Sequence, residues 1–161
     1  NSNMQAVAIK LFLDKTYTIC NIYLPHQPPN KQEIQNLINE LPEPYILLGD
    51  MNAHSPMWGA HLENDKGKII SEIVEENDVT ILNNETPTHF HIQTGTYSLI
   101  DLAICSSSCS QDFTHSVLPS LHDSDHYPIC IQLSNSAISY DKPTRYNTKK
   151  ADNYCAGIAT K

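Results

Sequence analysis

Tyr45-Ile46-Leu47-Leu48-Gly49-Asp50-Met51-Asn52-Ala53-His54 is the stretch on which the reading of this chain turns. Four consecutive apolar residues without a helical period predict a short buried strand. It ends at Gly49, where the backbone is free to turn, and it delivers a carboxylate, Asp50, to the edge of a sheet. Asn52, two residues on, can face the same way. Upstream, Asn30 reads as a helix N-cap with Glu33 completing a capping box. Ile34, Leu37, Ile38 and Leu41 follow at helical spacing, and Pro42 stops the helix. Before that, Ala6 to Leu13 alternates, with Val7, Ile9, Leu11 and Leu13 on one face. A turn at Asp14-Lys15 and a second run from Thr16 to Leu24 complete a hairpin.

Downstream, a second helix is expected from about Lys66 to Glu76, burying Ile69, Ile70, Ile73 and Val74. Further strands are expected over Val79 to Leu82, Tyr97 to Cys105, Phe113 to Leu118 and His126 to Leu133. Irregular alternation with at least one hairpin predicts an α/β protein with mixed sheets. After Leu133 the periodicity dies, so residues 135–161 read as a polar, basic linker leaving the domain.

The chain has 161 residues and 40% hydrophobic content, which suits one domain with a real core. No apolar run approaches the roughly 20 residues that span a bilayer, so no membrane partner is expected. The chain opens on Asn1-Ser2-Asn3, with neither a signal peptide nor an initiator Met, and reads as a fragment. Net charge is -8, unevenly spread. Up to Leu133 there are 5 Lys+Arg against 16 Asp+Glu, a net -11; the remainder has 5 against 2, a net +3. An acidic body is unlike a non-specific nucleic-acid binder, but it suits carboxylates gathered on a divalent cation. Five cysteines, an odd number with no CxxC spacing, read as reduced thiols in a nuclear or cytoplasmic protein.

Two further clusters carry chemistry. Asp101 interrupts the apolar run Leu99-Ile100-Asp101-Leu102-Ala103-Ile104. Burying that carboxylate costs several kcal/mol unless it is paired, and a histidine donor is an obvious partner. Ser124-Asp125-His126 opens the last strand, with its carboxylate and imidazole expected to splay to opposite sides. Phosphodiester hydrolysis needs an activated water, a cation and donors to the phosphate oxygens. Asp125 suits the role of Mg²⁺ ligand. Asp50 suits the group that orients or deprotonates water, and Asn52 a phosphate donor. His126 suits a second donor whose ring Asp101 fixes and keeps protonated. His54 and Trp58 are candidates to line a DNA groove, with Trp58 equally readable as a core residue under a loop. His89 and His91 share a face and offer a zinc pair, although isolated His pairs seldom bind the metal. Each acid also has a plain reading: Asp50 and Asn52 as turn residues, Asp101 as a structural partner, Asp125-His126 as a strand-entry cap.

Taken together, GDMN, SLIDLAI and SDHYPI, in that order and at strand ends, resemble the endonuclease/exonuclease/phosphatase family. GDMNAHSPMWGAHLENDKGKII, ILNNETPTHF and GTYSLIDLAICS narrow the resemblance to the endonuclease of jockey-type non-LTR retrotransposons. KPTRYNTKKAD resembles the segment leading on toward a reverse transcriptase. The resemblance implies a four-layer α/β sandwich of two mixed sheets, DNase I-like, incomplete at its N-terminus and occupying residues 1–134. It implies a Mg²⁺-dependent (or Mn²⁺-dependent) endonuclease, a monomer that nicks DNA to prime reverse transcription and meets element RNA through the rest of a polyprotein. It also implies an early Asn and a metal-binding Glu, which have no counterpart in the sequence. A truncated relic, a co-opted binding domain or another phosphoesterase of the same fold stay open on the sequence.

Overall fold

A computed structural model describes residues 4–25, 27 and 29–134. The expected linker, 135–161, lies outside the described residues. The chain runs β1 (Gln5–Phe12), β2 (Thr16–Tyr23), α1 (Lys31–Glu40), β3 (Tyr45–Asp50), α2 (Asp65–Glu76), β4 (Val79–Ile81), β5 (His89–His91), β6 (Thr96–Ser98), β7 (Asp101–Ser106), β8 (Phe113–Val117) and β9 (Ile129–Leu133). One mixed sheet of five strands has the order β1-β2-β3-β7-β4, and β5-β6 and β8-β9 are antiparallel pairs.

Period-2 alternation in the central strands divides two cores across the sheet. Cys20, Ile22, Leu47, Leu102 and Ile104 point to one side, where they meet Ile34 and Ile38 of α1 and Ile70 and Ile73 of α2. Tyr17, Ile46 and Cys105 point to the other, where Phe113, Ile131 and Leu133 of the β8-β9 hairpin cover them. Full burial of one Ile or Leu side chain contributes roughly 1.5–3 kcal/mol, so the sheet is held mainly from these two faces. The layers among the described residues are helices, five-stranded sheet and hairpin, an α/β sandwich.

Both helices start as their sequences dictate. Asn30 caps α1, its side chain accepting the Gln32 N–H at 2.9 Å. Asn64 caps α2, accepting the Gly67 N–H at 2.7 Å. Helix α1 leads from β2 into β3, which lies parallel to β2, as a helical crossover requires.

The apolar face shared by Val7 and Ile9 of β1 is open, the two being 63% and 62% exposed. Their partners across the hairpin are Asn21 and Ile19, so they lie on the β8-β9 side of the sheet, but at its outer strand. The expected strand from Tyr97 to Cys105 is broken at Leu99-Ile100, with β6 and β7 in different sheets. The ladder explains the break: β6 pairs with β5, while β7 pairs with β3 and β4.

Candidate active site

Strand β3 carries Asp50 to its last rung, directly opposite Asp101 at the first rung of β7. Gly49 makes that approach possible. Its φ is +141°, and a Cβ there would run into the Ile22 carbonyl oxygen of β2. Beyond the strand, Asn52 adopts φ 49°, a left-handed conformation that Asn tolerates better than most residues. The Asn52 backbone N–H donates to Asp50 Oδ1 at 2.9 Å, and its Nδ2 donates to Asp50 Oδ2 at 3.1 Å and to the Leu24 carbonyl at 3.0 Å. Both amide hydrogens are thus engaged. Here Asn52 holds the Asp50 carboxylate from both sides.

Asp101 has the partner its burial demands. His126 Nδ1 lies 2.9 Å from Asp101 Oδ2 and 3.1 Å from Oδ1. Thr88, wholly buried, donates its hydroxyl to Asp101 Oδ2 at 2.6 Å and accepts the N–H groups of Ile100 and Asp101. With Asp101 on Nδ1, the Nε2 of His126 is the ring nitrogen left for other partners.

The segment bearing Asp125 and His126 is pinned by backbone bonds. Tyr127 N donates to Thr88 O at 2.7 Å and Phe90 N to Asp125 O at 2.8 Å. They flank an isolated antiparallel bridge, His89 opposite His126. The expected strand start at His126 is therefore a single rung on β5, and β9 begins later, at Ile129. The splaying expected of Asp125 and His126 does not occur. One ligand atom each from His89, Asp125 and His126 falls within 4.8 Å of the others.

Asp50, Asn52, His54, His89, Asp125 and His126 share one open cleft of about 1090 Å³. Burial pushes the Asp50 carboxyl above its ordinary value and the neighbouring Asp101 charge adds to it, against the pull of the Asn52 amide, His126 and Lys66. Lys66 is buried, its ammonium donating to the Leu24 carbonyl at 3.2 Å; burial lowers its pKa and Asp50 opposes that. His54 is held below its usual value, chiefly by burial and further by His89 and Lys66.

Trp58 is not on the cleft. It is 2% exposed, and its indole N–H donates to the Ala53 carbonyl at 3.2 Å. The ring plugs the underside of the loop, because a large apolar surface with one satisfied donor belongs in a core. His91 also lines the cleft, its Nδ1 lying 2.9 Å from the Thr94 hydroxyl and its ring centroid 6.1 Å from that of His89. The ring of His126 lies nearer to His89, with centroids 4.7 Å apart.

Sequence reading passed over Thr88, Lys66 and Asn64. Asn64 caps α2, accepts the His54 N–H at 3.0 Å and donates to the Asn52 carbonyl at 3.0 Å, tying the cleft loop to the helix. Its signal was visible as a capping residue before Asp65. Thr88 and Lys66 left none, since only tertiary pairing distinguishes them from an ordinary loop Thr and surface Lys.

A mixed-sheet sandwich with carboxylates and an imidazole gathered at its strand ends is the architecture of DNase I-like nuclease domains. The chain belongs to the endonuclease-reverse transcriptase family, whose model matches residues 17–130. It is 30% identical over 121 residues to a probable RNA-directed DNA polymerase from transposon X-element of Drosophila melanogaster, covering 74% of this chain and 13% of that protein. It is 25% identical over 124 residues to the corresponding protein from transposon BS of the same organism, covering 76% and 14%. The chain thus spans a small part of those relatives. Among solved structures it is similar to the endonuclease domain of TRAS1, a telomere-specific non-LTR retrotransposon, with TM-score 0.69 and 20% identity over 83% of this chain and 67% of that one. The Xenopus laevis APE2 catalytic domain follows at TM-score 0.53 and 18% identity over 81% and 54%. At these identities the likeness establishes the fold.

Proposed function

We propose that this chain is a divalent-metal-dependent DNA endonuclease that cuts one strand and leaves a 3′ hydroxyl for reverse transcription. The observation that carries the reading is that Asp50, Asp125 and His126 line one cleft, with Asp101 behind it holding the His126 ring. Asp50 orients an attacking water and takes its proton, with Asn52 fixing the carboxylate. Asp101, fastened by Thr88, holds the ring of His126, so that Nε2 donates to a phosphate oxygen as charge builds there. His54, lining the same cleft, contacts the DNA.

The donor chemistry fits Mg²⁺. The Asp125 side chain is 57% exposed, and Mg²⁺ is held by one or two carboxylates while keeping several waters. Bound by Asp125, it would neutralise phosphate charge in the transition state. The transposon relatives support DNA as substrate, and element RNA would be met through other parts of such a polyprotein.

The end chemistry tests this reading. Supercoiled plasmid incubated with the protein and Mg²⁺ should become open circles whose nicks a DNA polymerase extends without prior phosphatase treatment. Nicks that need a phosphatase before extension, or no open circles at all, would contradict it.

A further inference from the structure

Hydrolysis of DNA gives His89 no task, yet its environment is that of a metal ligand. The bonds from Tyr127 to Thr88 and from Phe90 to Asp125 make His89 and His126 a non-hydrogen-bonded antiparallel pair. In such a pair the side chains stand on the same face at the closest spacing a sheet allows. Each ring is held through Nδ1: His126 by the Asp101 carboxylate, His89 by the Ser98 hydroxyl at 3.1 Å. Both rings therefore keep Nε2 for another partner. His89 Nε2 lies 3.7 Å from Asp125 Oδ2, and the three ligand atoms are within 4.8 Å of one another.

We propose that His89, His126 and Asp125 form a zinc-binding site of two imidazole nitrogens and one carboxylate oxygen. Two imidazoles favour zinc over Mg²⁺, which prefers an all-oxygen shell. Oriented Nδ1 partners on both rings are the outer support that metal-bound histidines ordinarily have. Ligand bonds of about 2.0–2.2 Å require the three atoms to close by roughly an ångström. Zinc would then occupy the His126 nitrogen and the Asp125 carboxylate that the nuclease reading gives to phosphate and to Mg²⁺, so zinc competes with both. The site itself does not depend on the nuclease reading. Binding is measured without DNA, and failure of either leaves the other standing.

The test uses the full chain with Co²⁺ as a spectroscopic probe and Zn²⁺ as competitor. Visible d–d absorption should appear on adding Co²⁺ and vanish with one equivalent of Zn²⁺. His89→Phe, which keeps a ring at that position, should weaken Zn²⁺ binding by at least tenfold. Asp125→Asn, at an exposed position that leaves the fold intact, should weaken it comparably. Ser98→Ala, which removes only the outer support of His89, should weaken it by about tenfold. Equal affinity of the wild type, His89→Phe and Asp125→Asn would overturn the proposal. So would an intense near-ultraviolet thiolate-to-cobalt band, which would place the metal on cysteine.

Discussion

Asp50 and Asp101 face each other across one rung of the β3–β7 ladder, two carboxylates brought together by strand pairing alone. The fold separates their roles by partner. Asp50 is held by Asn52 in the cleft, and Asp101 by Thr88 and His126 behind it. Asp101→Asn removes the carboxylate that orients the His126 ring while keeping the shape. Its nicking rate should fall at least about 100-fold, the low end of a general acid–base contribution, with DNA affinity nearly unchanged. Rate and binding assays on the same preparation separate the two effects.

Thr88→Val is close to isosteric but strands the N–H groups of Ile100 and Asp101 and leaves Asp101 Oδ2 with His126 alone. Unmet buried polar groups cost roughly 1–3 kcal/mol each. Urea unfolding should show a loss of at least that size, together with a fall in nicking even where the protein remains folded. A stability unchanged from wild type would show that the hydroxyl matters little.

Gly49→Ala combines a strained φ with a Cβ aimed at the Ile22 carbonyl. A non-glycine residue in a sparsely populated region costs of order 1–3 kcal/mol before any clash. The expected outcome is a denaturation midpoint well below that of wild type, and a spread of β2 from β3 visible as faster amide exchange at Leu24, whose N–H bonds to Asp50 O.

Trp58→Ala should act on stability, costing about 3–5 kcal/mol as large-to-small core substitutions do. Trp58→Phe should keep most of both stability and DNA affinity. A Phe variant that folds normally yet loses DNA binding would return Trp58 to the groove.

Trp58, readable from sequence either as groove or as core and found buried, shows what local sequence reports. Strand β3, the Asn30 cap of α1 and the turn at Asp14-Lys15 were legible because each is fixed by neighbours in the chain. So was the need of Asp101 for a partner, because a lone carboxylate in an apolar strand has to be satisfied. The identity of the ring opposite His89 was not legible. It depends on a single bridge between residues 37 positions apart, and nothing local sets that register. The exposed stripe of β1 has the same origin: alternation predicts which side chains share a face, but not what covers that face.

Acid should loosen the fold. His115 and His54 are both held below the ordinary imidazole value, first by burial. The Nδ1 of His115 is buried with no hydrogen-bond partner among the described residues. The unfolded chain therefore binds more protons than the folded one between the lowered values and the ordinary one, and stability rises with pH across that window. The contribution is complete above about pH 6.5 and is lost as pH falls below it toward the lowered folded values. Urea midpoints at pH 7.5 and 5.5 should differ in that sense, and His115→Asn should shrink the difference.

The most direct test of the cleft as a phosphodiesterase centre is the nicking rate of Asp50→Asn against wild type in Mg²⁺, at matched folded fractions. Losing the base that takes the proton of water should cost at least about 100-fold. Wild type and Asp50→Asn nicking at equal rates would contradict the account.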